Sequence, residues 1–218
     1  MQEYFTILRA CPLFAEIEDR DLSGMLGCLG AVRKEYQKNE IIFAEGEKAT
    51  RFGLLLSGEV RILHEDYDGN RSIVSKVGLA ELFGESFACA TAVLPVSAVA
   101  TEPSSVLLID SRRITHTCCN ACAFHERMIF NLMQILAKKN LQLHQKAEIL
   151  SHRTTRDKLL AYLTQAAKQS DSRYFTIPFD RQELADYLEV DRSGLSAEIS
   201  KLRAEGVLEC HKSDFKLL

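Results

Sequence analysis

The chain has no tryptophan, only four prolines in 218 residues, and no apolar run long enough to cross a bilayer. Its longest weakly polar stretch, Ala88 to Ala100, is interrupted by Thr91, Pro95 and Ser97, so neither a spanning helix nor a membrane partner is expected. The first 17 residues lack the basic segment and continuous apolar core of a secretory leader. Seven cysteines, an odd number, fit a reducing compartment better than a disulfide framework. A cytoplasmic protein is the expectation. Positive charge is not in excess: the net charge of −3 makes no case by itself for a nucleic-acid partner. Internal repeats and low-complexity tracts are absent. What remains is an ordinary globular composition, 46% hydrophobic and 26% charged, long enough for one domain or two modest ones.

Residues 124–150 contain neither Pro nor Gly and predict a helix about 40 Å long at 1.5 Å per residue. Ile129, Leu136, Leu143 and Leu150 recur every seven residues, with Met133, Asn140 and Ala147 between them. The first set reads as position d of a coiled-coil seam and the second as position a, Asn140 being the polar residue that fixes register. A helix buried in its own domain is the simpler alternative. The narrow apolar stripe, with Lys138, Lys139 and Lys146 on the other faces, favours a two-helix contact between copies of the chain.

Ahead of this helix, residues 1–31 read as a short helical lead-in through Leu13, Phe14, Leu22, Met25, Leu26 and Leu29. Short β-type runs follow at Val32 to Tyr36, Ile41 to Ala44, Phe52 to Leu56, Val60 to His64, Ser72 to Val77 and Val106 to Asp110. Turn signals at Glu45-Gly46-Glu47, Ser57-Gly58-Glu59 and Asp68-Gly69-Asn70 separate them, the spacing of a sandwich or barrel.

Beyond Leu150 comes a polar break near His152, then a helix from Thr155 to about Lys168 capped by Thr154, a strand at Phe175 to Phe179, and a capping-box variant at Asp180 and Glu183. Gln182 to Leu188, the turn Glu189-Val190-Asp191, and Arg192 to Ala204 form a helix-turn-helix. Leu184, Leu188, Val190, Leu195, Ile199 and Leu202 lock the two helices together. Ser193, Ser196, Ala197 and Ser200 lie opposite that apolar face, with Arg192 at its start; small side chains admit the face to a major groove, and Arg can bond a guanine bidentately. Gln182 and Lys201 complete the candidate DNA-contacting set. Val207 to Cys210 and Phe215 to Leu218 then make a wing. Residues 151–218 hold 11 Lys/Arg and 11 Asp/Glu, so phosphate attraction must come from local placement. Glu189 stands where glycine would relieve a positive φ, a strain of about 1 kcal/mol.

These parts, in this order, resemble the Crp/Fnr family of bacterial transcription regulators. The motifs are Asn39-Glu40-Ile41-Ile42-Phe43 with Gly46-Glu47, Ser57-Gly58-Glu59-Val60, Phe83-Gly84-Glu85-Ser86, and Asp180 to Ala185 through Arg192-Ser193-x-Leu195-Ser196. The resemblance implies an α+β chain: an N-terminal jelly-roll or double-stranded β-roll (1–123), a dimerisation helix and hinge (124–152), and a C-terminal winged helix-turn-helix (153–218). It further implies a homodimer, a palindromic double-stranded operator and contact with RNA polymerase. No nucleophile, base and acid fall into a recognisable catalytic constellation, so no enzymatic activity is expected. A small-molecule-binding β-barrel whose C-terminal domain binds protein is the rival reading.

Cyclic-nucleotide-binding members of that family place a Gly-Glu turn before a short helix and an Arg-Ser pair some ten residues on. Gly84, Glu85 and Ser97 match, but Pro95-Val96 stands where the Arg belongs, and no Lys, Arg or His occurs from Val77 to Ser111. An anionic phosphodiester is therefore not the expected effector. Gly84, Glu85, Ser86, Phe87, Val96 and Ser97 are the candidate effector pocket, for a neutral or aromatic ligand or simply as core. A second candidate sensor is the cluster His116, Cys118, Cys119, Cys122 and His125, whose Cys119-x-x-Cys122 spacing suits metal, iron–sulfur or dithiol chemistry, with haem on His116 or His125 and a structural role as alternatives. The cofactor, if any, is unknown, and the effector is a small molecule or a redox signal.

Overall fold

The computed structural model describes residues 4–65, 71–115 and 123–218. The chain divides into two compact units, Met1–Ala137 and Lys138–Leu218, so the division falls inside the long helix rather than near His152.

The first unit opens with α1 (Phe5–Ala10), a 3-10 turn (Pro12–Phe14) and α2 (Asp19–Cys28). Pro12 ends α1, because it forces Cys11 into an extended conformation (φ −79, ψ 124). Eight strands follow: β1 (Val32–Tyr36), β2 (Ile41–Phe43), β3 (Arg51–Ser57), β4 (Val60–Glu65), β5 (Arg71–Val77), β6 (Leu82–Phe83), β7 (Ser97–Ala100) and β8 (Ser104–Asp110). They form two four-stranded sheets of order β1-β8-β3-β6 and β2-β7-β4-β5. Every pairing is antiparallel, with Leu54 opposite Leu107 and Ile62 opposite Ala98.

Alternation of side chains explains why β3 and β8 read as continuous apolar runs. Leu55, Val106 and Leu108 point between the sheets, where they meet Val60, Val77, Phe83 and Ala100. Phe52, Leu54, Leu56, Leu107 and Ile109 point the other way, onto a second core with Leu8, Leu13, Phe14, Leu22, Met25 and Leu26 of the lead-in. Gly53 is needed for the inner layer: a Cβ there would lie 2.2 Å from the ring of Phe83. Expected strands and observed strands agree to within two residues, but β6 and β7 were not legible in the sequence, nor was α3 (Glu85–Ala90), which lies between them. The Asp68-Gly69-Asn70 turn signal falls outside the described residues.

After α4 (Ser111–Thr115) comes the long helix α5 (Ala123–Ser151), matching the expected 124–150. Met128 and Leu132 of α5 belong to the core shared with the lead-in. Asn131, also buried, donates through Nδ2 to the carbonyls of Leu13 (3.0 Å) and Ala15 (2.9 Å), fixing the segment behind the 3-10 turn to α5.

The second unit contains the end of α5, α6 (Thr155–Ser170), β9 (Tyr174–Thr176), α7 (Arg181–Leu188), α8 (Arg192–Ala204), β10 (Leu208–His211) and β11 (Asp214–Leu217). Its core joins Leu159 and Leu163 of α6, Leu184 and Leu188 of α7, Leu195, Ile199 and Leu202 of α8, and Phe175 and Phe215 of a three-stranded sheet of order β10-β11-β9. Ile149 of α5 is buried in the same core. β9 is shorter than the expected Phe175 to Phe179 because Pro178 has no N–H to continue the ladder. Ile177 still donates to Ser213 O at 2.9 Å.

Candidate nucleic-acid interface and effector cassette

Local chemistry sets the helix-turn-helix. Asp180 accepts from the Glu183 N–H (2.8 Å) while Glu183 accepts from the Asp180 N–H (2.8 Å), a complete capping box that starts α7. α7 stops at Glu189, which adopts the left-handed conformation (φ 52, ψ 56) expected from the turn. Lys158 Nζ donates to the last carbonyl of α7, Leu188 O, at 3.1 Å. Asp191 then caps α8, accepting the Gly194 N–H at 2.7 Å and the Ser193 hydroxyl. The Ser193 hydroxyl and, next, the Gly194 N–H hold the Asp191 carboxyl below its ordinary value.

The interlock of α7 and α8 leaves one side of α8 uncovered. Arg192, Ser193, Ala197, Ser200 and Lys201 are exposed and Ser196 is half-buried. Two of the hydroxyls are engaged locally: Ser193 on Asp191, and Ser200 on the Ser196 carbonyl at 3.0 Å. Gln182 is exposed on α7, its amide donating to Asp186 at 2.8 Å. Among the described residues Arg192 has no ion-pair or hydrogen-bond partner, so its guanidinium is available. The carboxylates of α8 are not: Glu198 and Glu205 both accept from Arg156 at the start of α6. That hydrogen bond holds the Glu205 carboxyl below its ordinary range.

In the first unit, Gly84 precedes α3 at φ 77, a conformation that favours glycine. Glu85 is buried, Ser86 exposed, and Phe87, Val96 and Ser97 half-buried. The Ser97 hydroxyl accepts the Glu45 N–H at 3.0 Å. Ser111 ties α3 to α4 by donating to Ala88 O at 2.9 Å. Burial, then the neighbouring Glu85 charge, pushes the Cys89 thiol up from its ordinary value.

The expected seam on α5 is unevenly placed. Met133, Asn140, Leu143 and Ala147 are exposed, and Leu150 is half-buried. Ile129 and Leu136 are half-buried against the first unit's own core. Phe130 and Leu141, which lie outside the expected set, are exposed as well. Of the candidate metal ligands, His116, Cys118, Cys119 and Cys122 lie outside the described residues. His125 is buried and stacked on Phe124, with ring centroids 4.8 Å apart. Among the described residues no group of three His, Cys, Asp or Glu side chains could hold a metal.

Sequence reading missed two positions. Asn131 was hidden because a buried Asn in a helix looks like any polar surface residue until its carbonyl partners are known. Arg156 was hidden because its partners are 42 and 49 residues away.

A two-sheet β-roll followed by a long helix and a winged helix-turn-helix is the architecture of a Crp-like transcription regulator. Residues 33–118 match the family model for the cyclic nucleotide-binding domain and residues 157–218 that for the Crp-like helix-turn-helix domain. The chain belongs to the Crp/Fnr family of transcription regulators. It is 23% identical over 212 residues to the transcriptional activator protein FnrA of Stutzerimonas stutzeri, covering 95% of this chain and 84% of that protein. To the cyclic AMP receptor protein of Thermus thermophilus it is 24% identical over 204 residues, covering 92% and 89%. The solved structure of a CooA mutant from Carboxydothermus hydrogenoformans shares the fold with a TM-score of 0.60 at 19% identity, over 97% of this chain and 90% of that one. No helix among the described residues is long and apolar enough to cross a membrane.

Proposed function

We propose that this protein is a cytoplasmic, homodimeric, sequence-specific DNA-binding regulator of transcription. Its operator is a palindrome, its second macromolecular partner is RNA polymerase, and its effector is a small molecule or redox signal other than a cyclic nucleotide. The observation that carries DNA reading is the uncovered face of α8, with Arg192, unpartnered among the described residues, at its start and small side chains beyond it. Arg192 makes the base contact, and the half-sites lie one helical turn, about 34 Å, apart. Replacing Arg192 with Ala costs about 1 to 3 kcal/mol on the operator and relaxes one base position per half-site. Selection of duplexes from a random-sequence pool, followed by gel shift of parent and Arg192→Ala, tests this. Equal weakening on selected and scrambled duplexes would make Arg192 a phosphate contact instead. The rival β-barrel with a protein-binding C-terminal domain predicts that no duplex is recovered.

One feature supports an effector other than a cyclic nucleotide, although the matching domain model and three curated relatives carry that ligand in their names. Val77 to Ser111 contains no cation. A buried phosphodiester there lacks a countercharge. Calorimetry with cAMP and cGMP should show no heat of binding; micromolar affinity for either refutes this part.

A further inference from the structure

The first turn of α6 carries two cations, Arg156 and Lys158, at the helix end where the backbone dipole favours anions. Each faces the helix-turn-helix rather than solvent alone. Lys158 holds the Leu188 carbonyl at 3.1 Å, at the point where α7 gives way to the left-handed Glu189. Arg156 spans α8. Its Nη1 donates to Glu205 Oε1 (3.1 Å) and Glu198 Oε1 (3.3 Å), and its Nη2 to Glu205 Oε2 (2.5 Å). Glu198 and Glu205 are seven residues, about two turns, apart and so share one side of α8, away from Ser193, Ala197 and Ser200. One planar guanidinium thus grips the middle and the C-cap of the same helix, a fork that a point charge cannot reproduce.

The charge balance gives this grip a second consequence. With 11 Lys/Arg against 11 Asp/Glu in residues 151–218, a reading helix without Arg156 would keep only the Lys201 contact on Glu198 (3.5 Å) and leave Glu205 uncompensated as it approaches a polyanion. We propose that Arg156 is a positioning residue for DNA reading: without touching DNA, it sets the tilt of α8 and neutralises the two carboxylates that ride on it. This rests on the DNA-binding reading above.

The test uses the full chain, the duplex that the parent recovers from a random-sequence pool, and a scrambled duplex of equal length. Arg156→Gln should lose tenfold or more on the selected duplex and threefold or less on the scrambled one. Arg156→Lys keeps the charge without the fork; it should restore scrambled-duplex affinity fully and the selected-to-scrambled ratio only partly. Glu205→Gln separates tilt from charge. It makes the unit less negative, so charge alone predicts tighter binding to both duplexes, whereas loss of the grip predicts a lower ratio. Should Arg156→Gln fail to fold by circular dichroism, the Lys and Glu205 variants decide. An unchanged ratio in Glu205→Gln and Arg156→Lys overturns the inference alone. A pool from which the parent recovers nothing overturns the DNA-binding reading and this inference with it.

Discussion

The proposed dimer seam can be tested through two side chains that the fold leaves uncovered. Met133 is 62% exposed and Leu143 67% exposed, while Phe130 and Leu141 are 48% and 63% exposed. Fully burying a Leu or Met stabilises by about 1.5 to 3 kcal/mol, so covering the exposed two-thirds contributes about 1 to 2 kcal/mol per side chain. Two positions on two protomers give about 4 to 8 kcal/mol, or about three to six powers of ten in the dimer dissociation constant at about 1.4 kcal/mol per tenfold. Like-charge repulsion across a two-fold axis adds to this in Met133→Lys/Leu143→Lys. Leu136, although on the expected seam, is the wrong probe: it is half-buried against the first unit's own core, so a Lys there confounds dimerisation with folding. Sedimentation equilibrium on parent and double variant, with circular dichroism as the folding control, reads the result. A folded double variant with an unchanged dimer dissociation constant refutes α5 as the dimer contact.

Three further predictions follow from named interactions. Asn131→Leu strands the carbonyls of Leu13 and Ala15, at about 1 to 3 kcal/mol for each group left unsatisfied; denaturant unfolding should show the first unit weakened, and an unaltered midpoint would mean water replaces the amide. Glu189→Gly relieves the left-handed strain at φ 52 and should stabilise by about 1 kcal/mol or less, since the glycine also gains freedom when unfolded; a lower melting temperature would contradict the strain. Asp191, whose folded value is depressed by Ser193 and Gly194, contributes stability that is fully present above its unfolded value and is lost as pH falls through the lower folded value. Acid titration of the melting temperature should therefore be shallower in Asp191→Asn than in the parent below the ordinary aspartate range, and parallel curves would remove the cap from the account.

Periodicity and capping chemistry made much of the architecture legible. A 29-residue helix, Ala123–Ser151, and the bounds of α8 follow from local pattern, because helical spacing and an Asp N-cap act within a few residues. β1, β3 and β8 were legible for the same reason, their β-rich runs lying between turn signals. β6 and β7 were not: two residues at Leu82–Phe83 and the alanine-rich Ser97–Ala100 carry too little pattern to declare a strand, and they become strands only through partners on β3, β2 and β4.

The sequence by itself determined the order of the parts, the α8 face with Arg192, and the absence of Lys, Arg and His from Val77 to Ser111, since each is a matter of residue identity at short spacing. Tertiary structure alone decided which side of α5 is covered, because Ile129 and Leu136 look the same as Leu143 until the lead-in packs against the helix. It alone brought Arg156 to Glu198 and Glu205, and Asn131 to Leu13 and Ala15. Contacts between residues forty to more than a hundred positions apart leave no local periodicity; they arise from how helices and loops fill shared space, and that is settled only when the whole chain packs.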